Sequence, residues 1–186
     1  MTQAMQRQPA ADYAGVRTVH VVQGQYRVTA DPDEVLSTVL GSCVACCLRD
    51  PVAGIGGMNH FILPGDEGGP DSVKYGLNAM ELLINALLQR GALRSRFEAK
   101  LFGGANVVQG LGNIGAKNSS FAVRFLESEG IRCVGQSLGG NRARRVKFWP
   151  ATGRAIQMLL QDPGNAIFRS EQTQRPAVPA GDVDFF

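Results

Sequence analysis

The sequence predicts one α/β or α+β domain, in which two helices cover a mixed or antiparallel sheet. About eight or nine short β-favouring runs are separated by turn residues, and only two segments carry helical apolar spacing. The length of 186 residues suits one domain with a substantial core. We expect that domain to cover residues 15–161, between a loose leader over 1–14 and a flexible tail over 162–186.

The first part of the chain is predicted to form strands. Two short strands flank Gln23-Gly24-Gln25, and a β-favouring run covers Val35–Leu40. Two apolar runs then flank Asp50-Pro51-Val52-Ala53-Gly54, which is the pattern of a β-hairpin. If its turn centres between Pro51 and Val52, Cys43 lies directly opposite His60 on the same face of the sheet.

Two segments are predicted to be helices. The first starts at Asp71 or Ser72, either of which can cap its amides, and ends at Gly91. Its core-facing residues recur at helical spacing: Val73, Leu77, Met80, Ile84 and Leu87. The second helix covers Lys117–Glu129 and stops at Gly130.

The remaining strands are short. One covers Phe97–Phe102, another begins at Ile131, and the last covers Arg154–Leu160. The triplet Gly139-Gly140-Asn141 predicts a hairpin turn that pairs Arg144–Phe148 with the strand before it.

Composition excludes several classes of function. A formal charge of +3 and a pI near 8.8 are too weak to indicate nucleic-acid binding. The basic run over 142–147 alternates like a strand with a solvated face. No run approaches the roughly 18 apolar residues of a membrane span, and the start lacks the apolar segment of a secretory signal. We therefore expect a cytoplasmic protein, not inserted in a membrane, whose four cysteines stay reduced.

A cysteine nucleophile is the most specific chemistry that the residues offer. A thiol needs a base to become a thiolate, and the chain has only two histidines, His20 and His60. His60 would face Cys43 across the hairpin, where the two side chains can share a proton. Gly41 and Ser42 are small enough for close approach of a substrate, and their amides could stabilise an oxyanion.

Other interpretations of these residues are weaker. A zinc site would need four ligands: Cys43, Cys46, Cys133 and His60. Cys43 and Cys46 are three residues apart in a strand, so they project to opposite faces and cannot share a metal ion. The thiols other than Cys43 are expected to pack in the core, and His20 to lie at a solvated edge. The pattern Gly110-x-Gly112-x-x-Gly115 matches a dinucleotide fingerprint only superficially, because it does not follow its strand directly. No cofactor or metal is expected.

Several separate motifs resemble one known family. They run in that family's order from about Val16 to Leu160: Leu40-Gly41-Ser42-Cys43-Val44, Asp50-Pro51, Gly56-Gly57-Met58-Asn59-His60, Leu63-Pro64, Lys100-Leu101-Phe102-Gly103-Gly104-Ala105, Asn113-Ile114-Gly115, Asn118, Leu138-Gly139-Gly140-Asn141-Arg142-Ala143-Arg144-Arg145-Val146 and Thr152-Gly153. The chain thus resembles CheD, the chemoreceptor glutamine deamidases of bacterial chemotaxis.

This resemblance implies a fold, a reaction and partners. The fold would be a three-layered α/β sandwich similar to the catalytic domain of deamidating toxins. Cys43 takes the place of the nucleophile and His60 that of the general base. The family's third position, a threonine six residues before the cysteine, is occupied by Ser37, and Thr38 beside it would point to the other face.

The implied substrates are glutamine side chains on the cytoplasmic helices of methyl-accepting chemotaxis receptors, which would be converted to glutamate. Some family members bind a CheC-like phosphatase, so a non-catalytic adaptor is the alternative function.

Overall fold

The computed structural model describes residues 15–63, 70–107 and 113–160. The predicted leader over 1–14 and the predicted tail over 162–186 lie outside these ranges. So do the glycines at positions 110 and 112 of the fingerprint-like segment.

Strands dominate the described residues, with a helix after β5 and another after β6. The elements are β1 (Arg17–His20), β2 (Tyr26–Thr29), β3 (Glu34–Leu40), β4 (Val44–Asp50), β5 (Ile55–Phe61), α1 (Pro70–Gln89), a 3₁₀ turn (Arg94–Arg96), β6 (Glu98–Gly103), α2 (Ile114–Ser128), β7 (Arg132–Leu138), β8 (Arg144–Trp149) and β9 (Arg154–Leu159). Within the described ranges, no helix is long and apolar enough to cross a membrane.

The strands form two sheets that stack under the helices. One sheet has the order β1-β3-β8-β9 and the other β2-β5-β4-β6-β7. The pairs β1–β3 and β6–β7 are parallel and the remaining pairs antiparallel, so both sheets are mixed. One apolar layer lies between the sheets: Leu36, Leu40, Met58, Val146 and Phe148. A second lies between the five-stranded sheet and the helices: Val44, Leu48, Phe61, Leu83, Ile84, Phe121 and Phe125. The predicted α+β class and its three layers are confirmed.

Strand β4 is central because its sequence is apolar on both faces. Cys46 packs toward the helices and Cys47 toward the other sheet, as alternation along a strand requires. A strand covered on both faces is a continuous apolar run instead of an alternating one. The two thiols are buried in the core, as predicted.

The β4–β5 hairpin forms, but its predicted register is wrong. Asp50 pairs with Ile55, so the loop holds four residues and Cys43 does not face His60 directly. The loop is shaped by Asp50, whose Oδ1 accepts the N–H groups of Val52 (2.9 Å) and Ala53 (3.1 Å). Its Oδ2 accepts two hydrogen bonds from Arg96, at 2.9 and 2.6 Å. A buried carboxylate thus moves the centre of the turn by one residue along the chain.

Both helices form close to their predicted bounds. The Gly91 amide donates to the carbonyl of Leu88 (3.0 Å), and the Ala92 amide donates to the carbonyl of Leu87 (3.1 Å). These bonds close α1 at the expected glycine. Met80, Ile84 and Leu87 are buried as predicted. Val73 and Leu77 are each 41% exposed, so the predicted stripe is wrong over the first two turns.

The predicted pairing across Gly139-Gly140-Asn141 is also wrong. β7 pairs with β6 in the five-stranded sheet, whereas β8 pairs with β3 and β9 in the other. The Gly139 amide donates to the carbonyl of Gly103 (2.9 Å), which anchors the segment to the end of β6. The glycines therefore let the chain cross from one sheet to the other, at the end where the β3–β4 connection lies.

Candidate active site

The candidate nucleophile, Cys43, lies in the connection between β3 and β4, where the chain passes from one sheet to the other. Three consecutive carbonyls of this connection are held by donors. The carbonyl of Gly41 accepts the Ala105 amide, that of Cys43 accepts the Gly104 amide, and that of Ser42 accepts Nδ2 of Asn118, each at 2.8 Å. The backbone around Cys43 is therefore fixed before any substrate binds.

Fixing these carbonyls also fixes the amides. In a trans peptide the N–H points opposite to the carbonyl of the same plane. The Ser42 and Cys43 amides therefore point away from Ala105 and Asn118. Backbone amides held in a fixed orientation are what an oxyanion hole requires.

Glycine is required at the end of β6 because it touches the backbone of Cys43. A Cβ on Gly103 would lie 2.1 Å from the Cys43 carbonyl oxygen, and the φ of Gly103 is 112°. Any side chain there would push β6 away from the β3–β4 connection.

His60 and Cys43 lie on the same face of the five-stranded sheet. His60 pairs with Ala45, and Cys43 precedes Ala45 by two positions, so the two candidates are diagonal neighbours. Diagonal neighbours have Cα atoms about 7–8 Å apart, within reach of an imidazole and a thiol. Both side chains lie between the sheets, with exposures of 1% for Cys43 and 6% for His60.

The hydrogen bonds of His60 determine its tautomer. Its Nδ1 lies 2.9 Å from Oγ1 of Thr38 and 3.3 Å from the carbonyl oxygen of Val21. The Thr38 hydroxyl donates to that same carbonyl (2.8 Å), so its lone pair faces Nδ1. Since both neighbours of Nδ1 can only accept, Nδ1 carries the hydrogen and Nε2 carries the basic lone pair.

That basic nitrogen is buried and has no hydrogen-bond partner among the described residues. Burial lowers the pKa of His60 to about 4, although the hydrogen bond to Val21 opposes this shift. At neutral pH the imidazole is therefore an uncharged base.

The expected third residue differs from the one that the structure places at the site. Thr38 on β3 contacts His60, whereas Ser37, the expected partner, is its neighbour in the strand and points to the opposite face. Thr38 was expected to point away from the site, and that orientation is wrong. Ser37 is buried and pairs with Lys147 across the four-stranded sheet.

The Gln23 side chain covers the candidate nucleophile, Cys43. Its Oε1 lies 3.5 Å from Sγ of Cys43, at a distance suited to a thiol donor, and Gln23 itself is exposed. The loop around it is fixed on His60, because the Gly24 amide donates to the His60 carbonyl (2.8 Å) and the His60 amide to Gln25 (3.0 Å). A carboxamide thus lies between the sulfur and the solvent.

The other thiols have no part in this site. Burial raises the pKa values of Cys46 and Cys47 well above the usual range, so both stay protonated. Cys43 and Cys46 face different cores, which separates the members of the hypothetical zinc set, and no group of metal-ligating side chains occurs in the described ranges. Cys133 is exposed, so its predicted packing role is wrong. His20 is exposed on the edge strand β1, as predicted.

Sequence reasoning missed two polar contacts of the site. Asn118, fully buried on α2, donates to Ser42 and accepts the Leu63 amide (2.9 Å), which joins the nucleophile connection to the end of β5. Asn118 is one of the residues that carry the family resemblance, but the sequence does not indicate which groups its side chain contacts. Gln23 lies between two predicted strands, and its contact with Cys43 depends on tertiary folding that no local pattern contains.

Comparison with known proteins places the chain among its relatives. The family model described as CheD chemotactic sensory transduction matches residues 62–158. The chain is 51% identical over 180 residues to the probable chemoreceptor glutamine deamidase CheD of Rhizobium meliloti (strain 1021), covering 93% of this chain and 98% of the relative. It is 54% identical over 173 residues to the protein of that name from Caulobacter vibrioides (strain NA1000 / CB15N), covering 90% and 92%.

Among solved structures, the Neisseria meningitidis protein NMB0706, of the DUF152 family, is 12% identical with a TM-score of 0.44. That match covers 69% of this chain and 64% of the other. The family assignment rests on the two CheD relatives and on the family model. By both measures, the chain belongs to the CheD family.

Proposed function

We propose that this protein hydrolyses glutamine side chains of chemotaxis receptors to glutamate, with Cys43 as nucleophile and His60 as general base. The supporting observation is the arrangement of His60: Thr38 and Val21 engage Nδ1, and the unpartnered Nε2 lies on the face that carries Cys43. The relatives' name, chemoreceptor glutamine deamidase, supplies the substrate class.

The chemistry is a two-step amide hydrolysis. Nε2 of His60 takes the Cys43 proton, and the thiolate attacks the carboxamide carbon of a receptor glutamine. The imidazolium then protonates the departing nitrogen, which leaves as ammonia, and a thioester remains on Cys43. Water, activated by the neutral His60, hydrolyses the thioester and regenerates the thiol. The net reaction replaces NH₂ by OH.

Preorganised donors would stabilise the charge that develops on the carbonyl oxygen. The amides of Ser42 and Cys43 are the proposed oxyanion donors, since the bonds to Gly41, Ser42 and Cys43 carbonyls orient them in advance. Thr38 acts as a positioning residue, because it touches His60 and not the reacting atoms.

Substrate binding requires Gln23 to move. Its carboxamide is bound to Sγ, at the place where the substrate carboxamide must bind. A receptor glutamine would replace one carboxamide by another, so the site already accommodates this group. A new glutamate on a receptor helix adds negative charge, which would tune adaptation. Because the substrate helices would be the cytoplasmic ones, the reaction would take place in the cytoplasm.

The test is the intact mass of a receptor cytoplasmic fragment after incubation with the protein. Each converted glutamine adds about one dalton, the difference between OH and NH₂ in this hydrolysis. We expect this gain with the wild type and with Cys133→Ala, the matched control at an exposed thiol, but not with Cys43→Ala. Conversion by folded Cys43→Ala would refute the proposal. A wild type that binds the fragment, or a CheC-like phosphatase, without any mass change would be an adaptor instead.

A further inference from the structure

A cavity separate from the candidate active site lies between the sheets, at the end of β4 opposite to Cys43. Its volume is about 280 Å³, and it is lined by both polar and apolar residues: Cys47, Arg49, Glu98, Lys100, Val134, Phe148, Thr152 and Gly153. Arg49 follows Cys43 by six residues, so at about 3.3 Å per strand residue the Cα atoms of these two residues are about 20 Å apart. The proposed deamidation does not use this cavity.

Strand register brings two cations to this cavity. Lys100 pairs with Cys47 and Glu98 with Arg49, so the four side chains share one face of the five-stranded sheet. The β8–β9 turn closes the cavity, because Nζ of Lys100 donates to the carbonyl of Gly153 (2.7 Å).

Gly153 brings the turn against the guanidinium. A Cβ at this position would lie 2.1 Å from Nη1 of Arg49, so only glycine allows the approach. Lys100 and the Thr152-Gly153 pair both belong to segments that carry the family resemblance, and here they meet away from the proposed active site.

The positive charge at this cavity is not balanced by protein groups that the structure describes. The only carboxylate in its lining, Glu98, forms an ion pair with Arg132. Nε of Arg49 is buried without a hydrogen-bond partner, and no described residue forms an ion pair with its guanidinium. Arg49 is half-buried, and leaving its buried Nε without a hydrogen-bond partner is costly. An anion bound between Arg49 and Lys100 would supply that partner and balance the charge.

We propose that this cavity binds a phosphate group, either as inorganic phosphate or as the phosphoryl group of a small organic phosphate. The planar fork of Arg49 matches two phosphate oxygens, and the Lys100 ammonium adds a point charge. The Thr152 hydroxyl accepts the Arg154 amide (3.3 Å), which leaves its hydrogen to donate to a third oxygen. Cys47 at the cavity floor stays neutral because burial raises its pKa, so it does not repel an anion.

The test is a titration of the full chain with inorganic phosphate at constant ionic strength, balanced by sodium chloride. Trp149, the only tryptophan, reports by fluorescence, since its carbonyl accepts the Gly153 amide (2.7 Å) at the cavity. We expect a saturable signal and a rise in melting temperature. At a phosphate concentration ten times the dissociation constant, the unfolding equilibrium constant should fall about 11-fold.

Variants separate this site from nonspecific anion binding. Arg49→Gln and Lys100→Gln should each weaken phosphate binding at least about tenfold, as expected for loss of a charge-assisted contact. Arg49→Lys, which keeps the charge, should recover part of it. Arg124→Gln is the matched control, because this exposed cation on α2 is not in the cavity lining, and it should bind like the wild type.

The outcomes are distinct. A phosphate monoester that binds more tightly than phosphate would identify a phosphorylated metabolite as the ligand, and equal binding would identify free phosphate. A wild-type response no larger than that to chloride would overturn the proposal. Equal phosphate binding by the wild type and the Arg49 variants would also overturn it. If the Arg49 variants fail to fold, equal binding by the wild type and Thr152→Val would overturn it instead. None of these readouts requires turnover, so failure here is separate from failure of the proposed deamidation.

Discussion

Replacing Thr38 by valine tests the proposed catalytic arrangement at a residue that does not touch substrate. Valine has nearly the shape of threonine but lacks the hydroxyl, so the change removes two buried hydrogen bonds of 2.9 and 2.8 Å. Only the first, to Nδ1 of His60, bears on chemistry. The Val21 carbonyl, 3.3 Å from Nδ1, remains to hold the ring by a longer contact.

The expected effect follows from the charge that His60 acquires during the reaction. In the proposed mechanism the ring becomes an imidazolium in the transition state, and a hydrogen bond to a charged group contributes about 1.5–3 kcal/mol. Losing it should lower kcat by about 10- to 150-fold, with KM nearly unchanged because Thr38 does not contact substrate. Stability should fall by only about 1 kcal/mol for the second bond.

Ammonia release from a receptor fragment, measured against substrate concentration, separates kcat from KM. Thr38→Ser keeps the hydroxyl and should retain most of the activity. Ser37→Ala is the matched control, since Ser37 is equally buried but points to the opposite face. Wild-type kcat in Thr38→Val would refute the role of the hydroxyl, and an equal loss in Ser37→Ala would assign the third role to Ser37.

Three further changes test other features of the site and of the hairpin. Gln23→Ala is tested in a Cys133→Ser background, which removes the exposed thiol. It should speed alkylation of Cys43 by iodoacetamide about fivefold, because a hydrogen bond of about 1 kcal/mol is lost. An unchanged rate would show that Gln23 does not cover Cys43. Because the pKa of His60 is about 4 in the folded chain and about 6.5 when unfolded, the unfolded chain binds more protons between these values. The free energy of unfolding should therefore fall by about 3 kcal/mol as pH drops from 6.5 to 4, and His60→Asn should lose this dependence in urea titrations. Burial raises the pKa of Asp50, but the bonds from Arg96 and backbone amides outweigh it and lower the value to about 2. Asp50→Asn should thus cost about 2 kcal/mol at neutral pH, a difference from wild type that shrinks as pH falls from about 4 to 2; a constant difference would contradict the role of the charge.

Local patterns predicted most of the fold because local chemistry determines most of it. Helix ends at Gly91 and Gly130 follow from backbone hydrogen bonds that glycine closes, and both are where the sequence places them. Pairing between distant strands follows from contacts that no local pattern contains. Gly139-Gly140-Asn141 has the composition of a hairpin turn, yet its bond to Gly103 directs the chain into the other sheet.

The same distinction applies to the site. Cys43 and His60 were predicted to share a face, and they do, although the predicted register was in error. Asp50 moves the turn centre by one residue, which changes each pairing by two positions and preserves the face of every side chain. The orientation of Thr38 could not be predicted this way, because it depends on the stacking of β3 over β5, which belong to different sheets.

The low pKa of His60 indicates when the nucleophile is activated. With a pKa of about 4, only about one imidazole in a thousand is protonated at pH 7, so the resting state holds no His60 cation to stabilise a thiolate. In the proposed reaction, proton transfer from Cys43 then has to accompany attack, when the oxyanion donors and the leaving amine share the developing charge. Under the proposed mechanism, the buried Cys43 beside an uncharged His60 is therefore expected to react slowly with small electrophiles, and to react when a substrate carboxamide replaces that of Gln23. If alkylation of Cys43 were instead as fast as that of exposed Cys133, the resting thiol would have to be ionised, and this order of events would be wrong.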